Sequence, residues 1–230
     1  WAPAAPPPAP GGAVAGPRGG GPRDTVVYVA AVEPARLVPQ AARTWARILS
    51  QVSGSRLVLF PERWDLTPLI PWAAVRRWFE RLFEQEGVAP DRLLVLPTPV
   101  GLADVRERLK MADVYLDAFP ISSGLVLAEA LRLGLPCVVW EGEQRRFRMG
   151  SALLRELELP EAIASDETKY LAHAVGLGQN SEQRARFTAA LNRRTETAPR
   201  FLDSRRFAAQ LQEILRGLLK SKHVAIPLVA

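Results

Sequence analysis

The sequence has few residues of the kinds that bind metal ions or form disulfides. Its 230 residues include one cysteine, Cys137, and two histidines, His173 and His223. One cysteine excludes a disulfide within the chain, and two histidines with one thiol are too few for the usual zinc or transition-metal ligand sets. We therefore expect no metal site and no bound cofactor. The lone thiol lies in an apolar run, which indicates a small buried side chain and a reducing, cytoplasmic location.

Long apolar runs are also missing, although 48% of the residues are hydrophobic. A membrane-spanning helix needs about 20 consecutive apolar residues, and no stretch approaches that length. The chain begins at Trp1 without a basic, then apolar, targeting pattern, so it resembles a fragment or processed piece. We expect a soluble protein without a membrane partner.

Acidic residues are outnumbered by basic ones, 24 to 30, for a net charge of +6. Such an excess attracts phosphate only where the cations cluster. Here arginines alternate with carboxylates, as in the stretch RRWFER at 76–81, and no basic block or aromatic RNA-binding motif is present. The pattern favours a solvated basic surface over a nucleic-acid partner.

Three regions differ in composition. Residues 1–22 hold seven prolines and six glycines, so they bury too little apolar surface to offset the entropy of ordering. We predict a disordered linker there, and composition leaves open whether it tethers an upstream domain or is a free tail. Residues 23–223 are predicted to form one domain, followed by a short tail at 224–230.

The domain alternates short apolar runs with helical periodicity, which is typical of βα units. Strands are predicted at 25–30, 56–60, 93–96, 114–118 and 137–140. Helices are predicted at 39–52, 71–86, 102–110, 123–133 and 146–158, then at 166–177, 181–194 and 204–219, with Ser181 as a helix cap. The predicted fold class is α/β, a Rossmann-like parallel sheet flanked by helices, with a helical C-terminal tail.

The most informative turn follows the fourth predicted strand. Ligands of open parallel sheets bind at the carboxyl ends of the strands, where helix N-termini present free amides to anions. Small residues occupy this turn, and Gly124 permits close approach of the backbone. We predict that Ser123, Gly124, Leu125 and Val126 bind a diphosphate; the alternative is an ordinary strand-helix turn.

Three charged side chains are predicted near the same edge. Glu129 lies about one and a half turns into the helix, where a carboxylate can accept hydrogen bonds from a ribose diol. Arg36 follows the first strand and can pair with phosphate, and Arg148 follows the fifth strand and can orient a sugar or a loop. The alternative for each is a solvated surface charge.

Several ordered motifs resemble the C-terminal catalytic lobe of the O-linked N-acetylglucosamine transferase family and its bacterial relatives. They are ADVYLDAFP (112–120), EAL (129–131), GLP (134–136), GE (142–143), RMGSALL (148–154), LPEAIA (159–164) and FLDSRRF (201–207). The resemblance spans roughly residues 25–218. It implies the C-terminal half of a GT-B fold, a UDP-sugar as substrate, inverting transfer to a protein acceptor, and an N-terminal GT-B domain, often with helical repeats, upstream.

The resemblance also exposes replacements at the donor site. Leu125 and Val126 stand where the family usually has two threonines that hold the diphosphate, so only backbone amides would remain. The family's diphosphate-binding lysine falls near Arg36, which we therefore predict as the catalytic cation, and Glu129 keeps a carboxylate at the ribose position. Leu102 and Val105 stand where mammalian-type members have Lys and His.

Two other functions stay open. The lost polar groups would also fit a non-catalytic, degenerate binding module. A retaining GT-B sugar transferase shares the motif GLVLAEAL at 124–131, although such enzymes usually have a glutamate eight residues before Glu129, where this chain has Ile121.

Overall fold

The computed structural model describes residues 25–33, 37–62, 72–196 and 199–221. The predicted linker at 1–22, the predicted tail at 224–230 and the predicted catalytic Arg36 therefore lie outside the described residues. The domain boundaries predicted from composition stay predictions.

The core of the fold is a parallel sheet. Its strands are β1 (Val27–Val32), β2 (Arg56–Pro61), β3 (Leu93–Val95), β4 (Val114–Leu116), β5 (Cys137–Trp140) and β6 (Ile163–Ala164). Every pairing is parallel, and the order across the sheet is β3-β2-β1-β4-β5-β6. All six residues of β1 are buried, as expected for a central strand that is covered on both faces. The predicted Rossmann-like α/β class is confirmed.

Eight helices accompany the strands in the described residues. They are α1 (Pro39–Gln51), α2 (Trp72–Gln85), α3 (Leu102–Lys110), α4 (Gly124–Arg132), α5 (Met149–Glu156), α6 (Glu167–Gln179), α7 (Ser181–Thr195) and α8 (Ser204–Ser221). On one face the apolar sides of α1, α2 and α6 form a cluster around Trp45, Phe79 and Tyr170. On the other face α3, α4 and α5 contribute Val105, Leu127 and Leu154. The helices thus cover both faces, as predicted.

Several boundaries differ from the prediction. The strand β6 was missed because it has only two residues between a 3-10 turn and a helix. Helix α5 begins at Met149 instead of residue 146, since Arg145–Phe147 form a separate 3-10 turn. The cap of α7 is Asn180, whose side chain accepts from the Gln183 amide, and the predicted cap Ser181 is the first helical residue.

The helical C-terminal tail divides into two parts. Helix α6 belongs to the packed domain, because the Tyr28 hydroxyl donates to Ala174 O at 2.8 Å and the Trp45 indole donates to the Tyr170 hydroxyl at 3.2 Å. Helix α8 follows the 3-10 turn Arg200–Leu202 and exposes large apolar side chains to solvent: Phe207, Leu211, Ile214, Leu215, Leu218 and Leu219. Within the described ranges, no helix has the length and apolar character needed to cross a bilayer.

Candidate functional site

The strand order reverses direction at the centre of the sheet. From β1 the chain proceeds outward through β2 and β3, and from β4 it proceeds the opposite way through β5 and β6. Helix α1 then packs on one face and α4 on the other. Open α/β sheets bind ligands outside the carboxyl ends of the strands where the order reverses. Here that position lies between the ends of β1 and β4.

The turn after β4 is held by Asp117, which is 1% exposed. Asp117 Oδ1 accepts from the Ser123 amide at 3.1 Å and from Ser123 Oγ at 3.3 Å. The Tyr170 hydroxyl of α6 donates to Asp117 O at 2.9 Å. The turn contains a cis Phe119–Pro120 peptide. These contacts fix the start of α4 relative to the end of β4.

Burial raises the pKa of the Asp117 carboxyl to about 6, although the hydrogen bonds from Ser123 oppose the rise. Asp117 is not among the site residues predicted from the sequence. The sequence does contain a pattern that could have indicated it, because an aspartate directly after a buried strand lies at the edge of the sheet where ligands bind. We regard Asp117 as part of the framework of the site.

The first turn of α4 presents backbone amides. No side chain of the described residues caps this helix, because the Ser123 hydroxyl turns inward to Asp117 and shares a hydrogen bond with Tyr115. The first amides of any helix lack intrahelical acceptors and carry the positive end of its dipole. The start of α4 therefore has the electrostatic character of an anion site.

The side chains around these amides are apolar. Val126 is buried in the core, whereas Leu125 is 51% exposed beside it. The Met149 thioether at the start of α5 occupies the space that a Cβ on Gly124 would need. The glycine thus admits the Met149 side chain, and any ligand at this turn would share the space with it.

Glu129 is 5% exposed, and its carboxylate is held by Arg106 of α3. Arg106 Nε donates to Glu129 Oε2 at 2.6 Å, and Arg106 Nη2 donates to Oε1 at 3.2 Å. The hydrogen bond and charge of Glu129 raise the pKa of Arg106. The predicted ribose residue is therefore a buried ion-pair partner rather than a solvated surface charge.

Arg148 closes the loop after β5. Its Nε donates to Gly142 O at 3.2 Å and its Nη2 to Glu143 O at 2.8 Å. At the start of the same loop, Glu141 accepts from Arg155 at 2.5 and 2.7 Å. These Arg155 hydrogen bonds lower the pKa of Glu141 to about 2. Side-chain hydrogen bonds thus hold the loop near both of its ends, and the guanidinium of Arg148 binds carbonyls of the loop itself.

The structure thus gathers most of the predicted site at one edge. Ser123, Gly124, Leu125 and Val126 form the start of α4, with Glu129 further along the same helix. Arg148 precedes α5 at the end of the β5 loop. Of the two positions where mammalian-type members have Lys and His, Leu102 begins α3 and Val105 is buried in the core.

The opposite edge of the sheet holds a cavity of about 320 Å³ between the segments that precede β4 and β5, and Lys110, Asp113 and Arg184 are among its lining residues. It is separate from the site at the carboxyl ends of the strands. In the described part of the chain, no group of three or more His, Cys, Asp or Glu residues is arranged to hold a metal ion.

The fold and this site define a Rossmann-like lobe of the GT-B glycosyltransferase type. The chain belongs to glycosyl transferase family 41, whose model matches residues 15–211. This membership confirms the resemblance that the motifs indicated.

Curated relatives include the probable UDP-N-acetylglucosamine--peptide N-acetylglucosaminyltransferase SPINDLY of Solanum lycopersicum, 27% identical over 184 residues and 80% of this chain. The protein of the same name from Arabidopsis thaliana is 26% identical over 186 residues and 81% of this chain. The matched regions are 19% and 20% of those proteins, so the chain spans about a fifth of their length.

Among solved structures, an O-GlcNAc transferase mutant of Thermobaculum terrenum superposes with a TM-score of 0.76 at 27% identity, covering 86% of this chain and 36% of that one. The glycosyltransferase WaaG, involved in lipopolysaccharide biosynthesis, superposes with a TM-score of 0.58 at 15% identity, covering 83% of this chain and 47% of that one. The second likeness concerns the fold alone.

Proposed function

We propose that this chain is the donor-binding lobe of a family 41 glycosyltransferase, that it binds a UDP-sugar, and that the enzyme transfers the sugar with inversion to a protein acceptor. In this proposal the lobe works with an N-terminal GT-B domain and helical repeats upstream, in the cytoplasm. The names of the relatives support a UDP-N-acetylglucosamine donor and a peptide acceptor.

One observation carries the proposal. At the point where the strand order reverses, the uncapped start of α4 is followed on the same helix by the buried carboxylate of Glu129. Amides at a helix N-terminus suit a diphosphate, and a carboxylate about one and a half turns further on suits a ribose diol. The two groups lie in the order in which a nucleoside diphosphate presents its phosphates and its sugar.

The proposed catalytic contribution is electrostatic. When the sugar leaves, negative charge grows on the diphosphate, and fixed amide dipoles stabilise that charge without reorganising. The amides of Gly124, Leu125 and Val126 would supply this stabilisation, with Arg36 as the cation in place of the family's lysine. No metal or other cofactor is part of the proposal. The acceptor site and the general base would come from the upstream domain.

A second candidate is a degenerate binding module without transferase activity. It is favoured by the apolar surroundings of the α4 amides, because Leu125 is half exposed and the Met149 side chain lies against Gly124. Phosphate would lose part of its hydration there without gaining hydroxyl donors from the neighbouring side chains.

Calorimetric titration of the 230-residue chain with UDP tests the proposal, with ADP and GDP as controls for the base. We expect selective binding of UDP and a loss of about tenfold or more in affinity, about 1.4 kcal/mol, in Glu129→Ala. Glu80→Ala is a matched control, because Glu80 also pairs with an arginine, Arg76 at 2.7 Å, but on α2 across the sheet.

Equal affinity for the three nucleotides, or unchanged UDP affinity in Glu129→Ala with an intact melting transition, would contradict the proposed donor site. If UDP binds selectively but the full-length protein transfers no sugar, the degenerate module is the better description.

A further inference from the structure

A bidentate ion pair joins α3 and α4, which are neighbours on the same face of the sheet. Arg106 of α3 binds both carboxylate oxygens of Glu129 on α4, at 2.6 and 3.2 Å. The Glu129 side chain is 7% exposed and that of Arg106 is 34% exposed. The Glu129 carboxylate is thus largely enclosed, whereas the Arg106 side chain is partly open to solvent.

Arg106 restrains the Glu129 carboxylate but does not use all of its capacity to accept hydrogen bonds. The planar guanidinium fork matches the carboxylate plane, so a two-point contact restrains its rotation as well as its position. A carboxylate has about four acceptor directions, and Arg106 occupies one on each oxygen. By this count each oxygen has a further acceptor direction, which is the number that a vicinal diol requires.

The other cations of α3 are engaged elsewhere. The Arg108 guanidinium donates to Asp104 on its own helix at 2.8 and 3.0 Å and also to Pro97 O. Lys110 pairs with Glu107 at 2.7 Å on the exposed side of α3. Of these three cations, Arg106 is the one that reaches α4. Its contact is therefore specific to Glu129 and is not a general basic surface.

We infer that Arg106 is a positioning residue for the ribose subsite, holding the Glu129 carboxylate in the orientation that accepts the ribose hydroxyls. The inference rests on the proposed function, since it assigns Arg106 a task in UDP binding. Arg106 acts through Glu129 and carries no contact with the nucleotide itself. Two residues, one on each helix, then form the subsite.

The test compares UDP with 2′-deoxy-UDP, because a defect in the ribose subsite affects the two nucleotides differently. In the 230-residue wild-type chain, calorimetry should find tighter binding of UDP. In Arg106→Met, which keeps an unbranched apolar stem, UDP affinity should fall about tenfold while 2′-deoxy-UDP affinity changes much less. Arg106→Lys, which keeps the charge without the fork, should recover only part of the preference.

Two further variants separate positioning from a general loss of structure. Arg76→Met removes another arginine from an ion pair, with Glu80 on α2, and should leave both affinities unchanged. In Glu129→Gln, adding Arg106→Met should lower UDP affinity by less than it does in the wild type, because the two residues act as one unit.

The outcomes distinguish the inference from the proposed function. If the wild-type chain does not bind UDP selectively, both fail. If the wild type binds UDP and prefers it over 2′-deoxy-UDP, but Arg106→Met keeps that preference or weakens both nucleotides equally, the inference alone is overturned. Tighter UDP binding in Arg106→Met would overturn it as well, since Arg106 would then compete with the ribose.

Discussion

Gly150 lies directly against the carboxylate of Asp117. A Cβ at residue 150 would be 2.6 Å from Asp117 Oδ2, 2.8 Å from Val139 Cγ1 and 2.9 Å from Ser122 Oγ. The first turn of α5 therefore packs on the turn after β4 at a distance that only glycine allows. Any side chain at residue 150 would displace the framework that holds the start of α4.

Gly150→Ala should accordingly destabilise the chain by about 2–3 kcal/mol, because overpacking of a filled core displaces neighbouring groups. Gly217→Ala is the matched control: residue 217 is also helical, and nothing lies within 4 Å of its added Cβ. The control should be neutral or stabilise by up to about 1 kcal/mol. Urea denaturation measures the free energy of unfolding of both variants. Surface substitutions change it by roughly 0.5 kcal/mol or less, so a loss of that size in Gly150→Ala would contradict the packing described.

Asp117 should make the free energy of unfolding depend on pH. Its pKa of about 6 lies above the value of about 3.9 for an unfolded aspartate. Between these values the folded state binds more protons, so stability is lost as pH rises through about 6. Relative to Asp117→Asn, which cannot ionise, the wild type should lose about 2 kcal/mol between about pH 4.5 and pH 7.5.

The difference between the two proteins is the informative quantity, because other carboxylates titrate in both. Urea denaturation of each protein at the two pH values gives this difference in the free energy of unfolding. A constant difference would mean that the Asp117 carboxyl keeps an ordinary pKa in the folded chain. A difference of opposite sign would mean that hydrogen bonds outweigh burial there.

The sheet could be predicted from local sequence because its central strands are buried on both faces. Runs such as VYVAAV in β1 and CVVW in β5 combine β-branched and apolar residues at strand length, which few other structures require. By contrast, β6 has two residues and no pattern of its own. It forms because Val139 and Trp140 of β5 offer it a parallel edge, and sequence alone does not place that edge.

The candidate site was predicted less completely, for a physical reason. The start of α4 and Glu129 are close in sequence, so their spacing on one helix follows from helical geometry. The Arg106 contact spans 23 residues, and the Asp117–Gly150 contact depends on how β4 and β5 align. Such contacts require the tertiary arrangement, which is why the sequence alone does not identify Arg106 or Asp117 as site residues.

Arg92 should contribute more to stability than most surface arginines. Its guanidinium donates to the carbonyls of Leu49, Val52 and Ser55 at 2.7, 2.9 and 2.7 Å. It thus satisfies acceptors at the C-terminal end of α1 and in the turn before β2. Burial lowers the pKa of Arg92. Because an ammonium cannot reproduce the planar fork, Arg92→Lys should cost about 1–2 kcal/mol.

For comparison, Arg76→Lys keeps an exposed pair with Glu80 and should change the free energy of unfolding by less than about 0.5 kcal/mol. Equal effects of the two substitutions in urea denaturation would mean that the Arg92 contacts are no stronger than those of an ordinary surface charge.

Arg148 should control the order of the loop between β5 and α5 more than the stability of the whole domain. Its side chain is exposed, but it donates to the carbonyls of Gly142 and Glu143 and so closes the loop on itself. In Arg148→Met, amide hydrogen exchange at 142–148 should accelerate several-fold, because local opening needs less free energy than global unfolding. The free energy of unfolding should change by less than about 1 kcal/mol.

Arg145→Met is the matched control for Arg148→Met, since it removes the same charge from the 3-10 turn of the same loop. If the loop shapes the proposed donor site, UDP affinity should fall in Arg148→Met and stay unchanged in Arg145→Met. Faster exchange with unchanged UDP affinity would limit Arg148 to bracing the loop, and unchanged exchange would mean that the two carbonyl contacts do not hold it. A parallel loss of affinity in both variants would point instead to a general effect of positive charge near the nucleotide, which added salt should diminish.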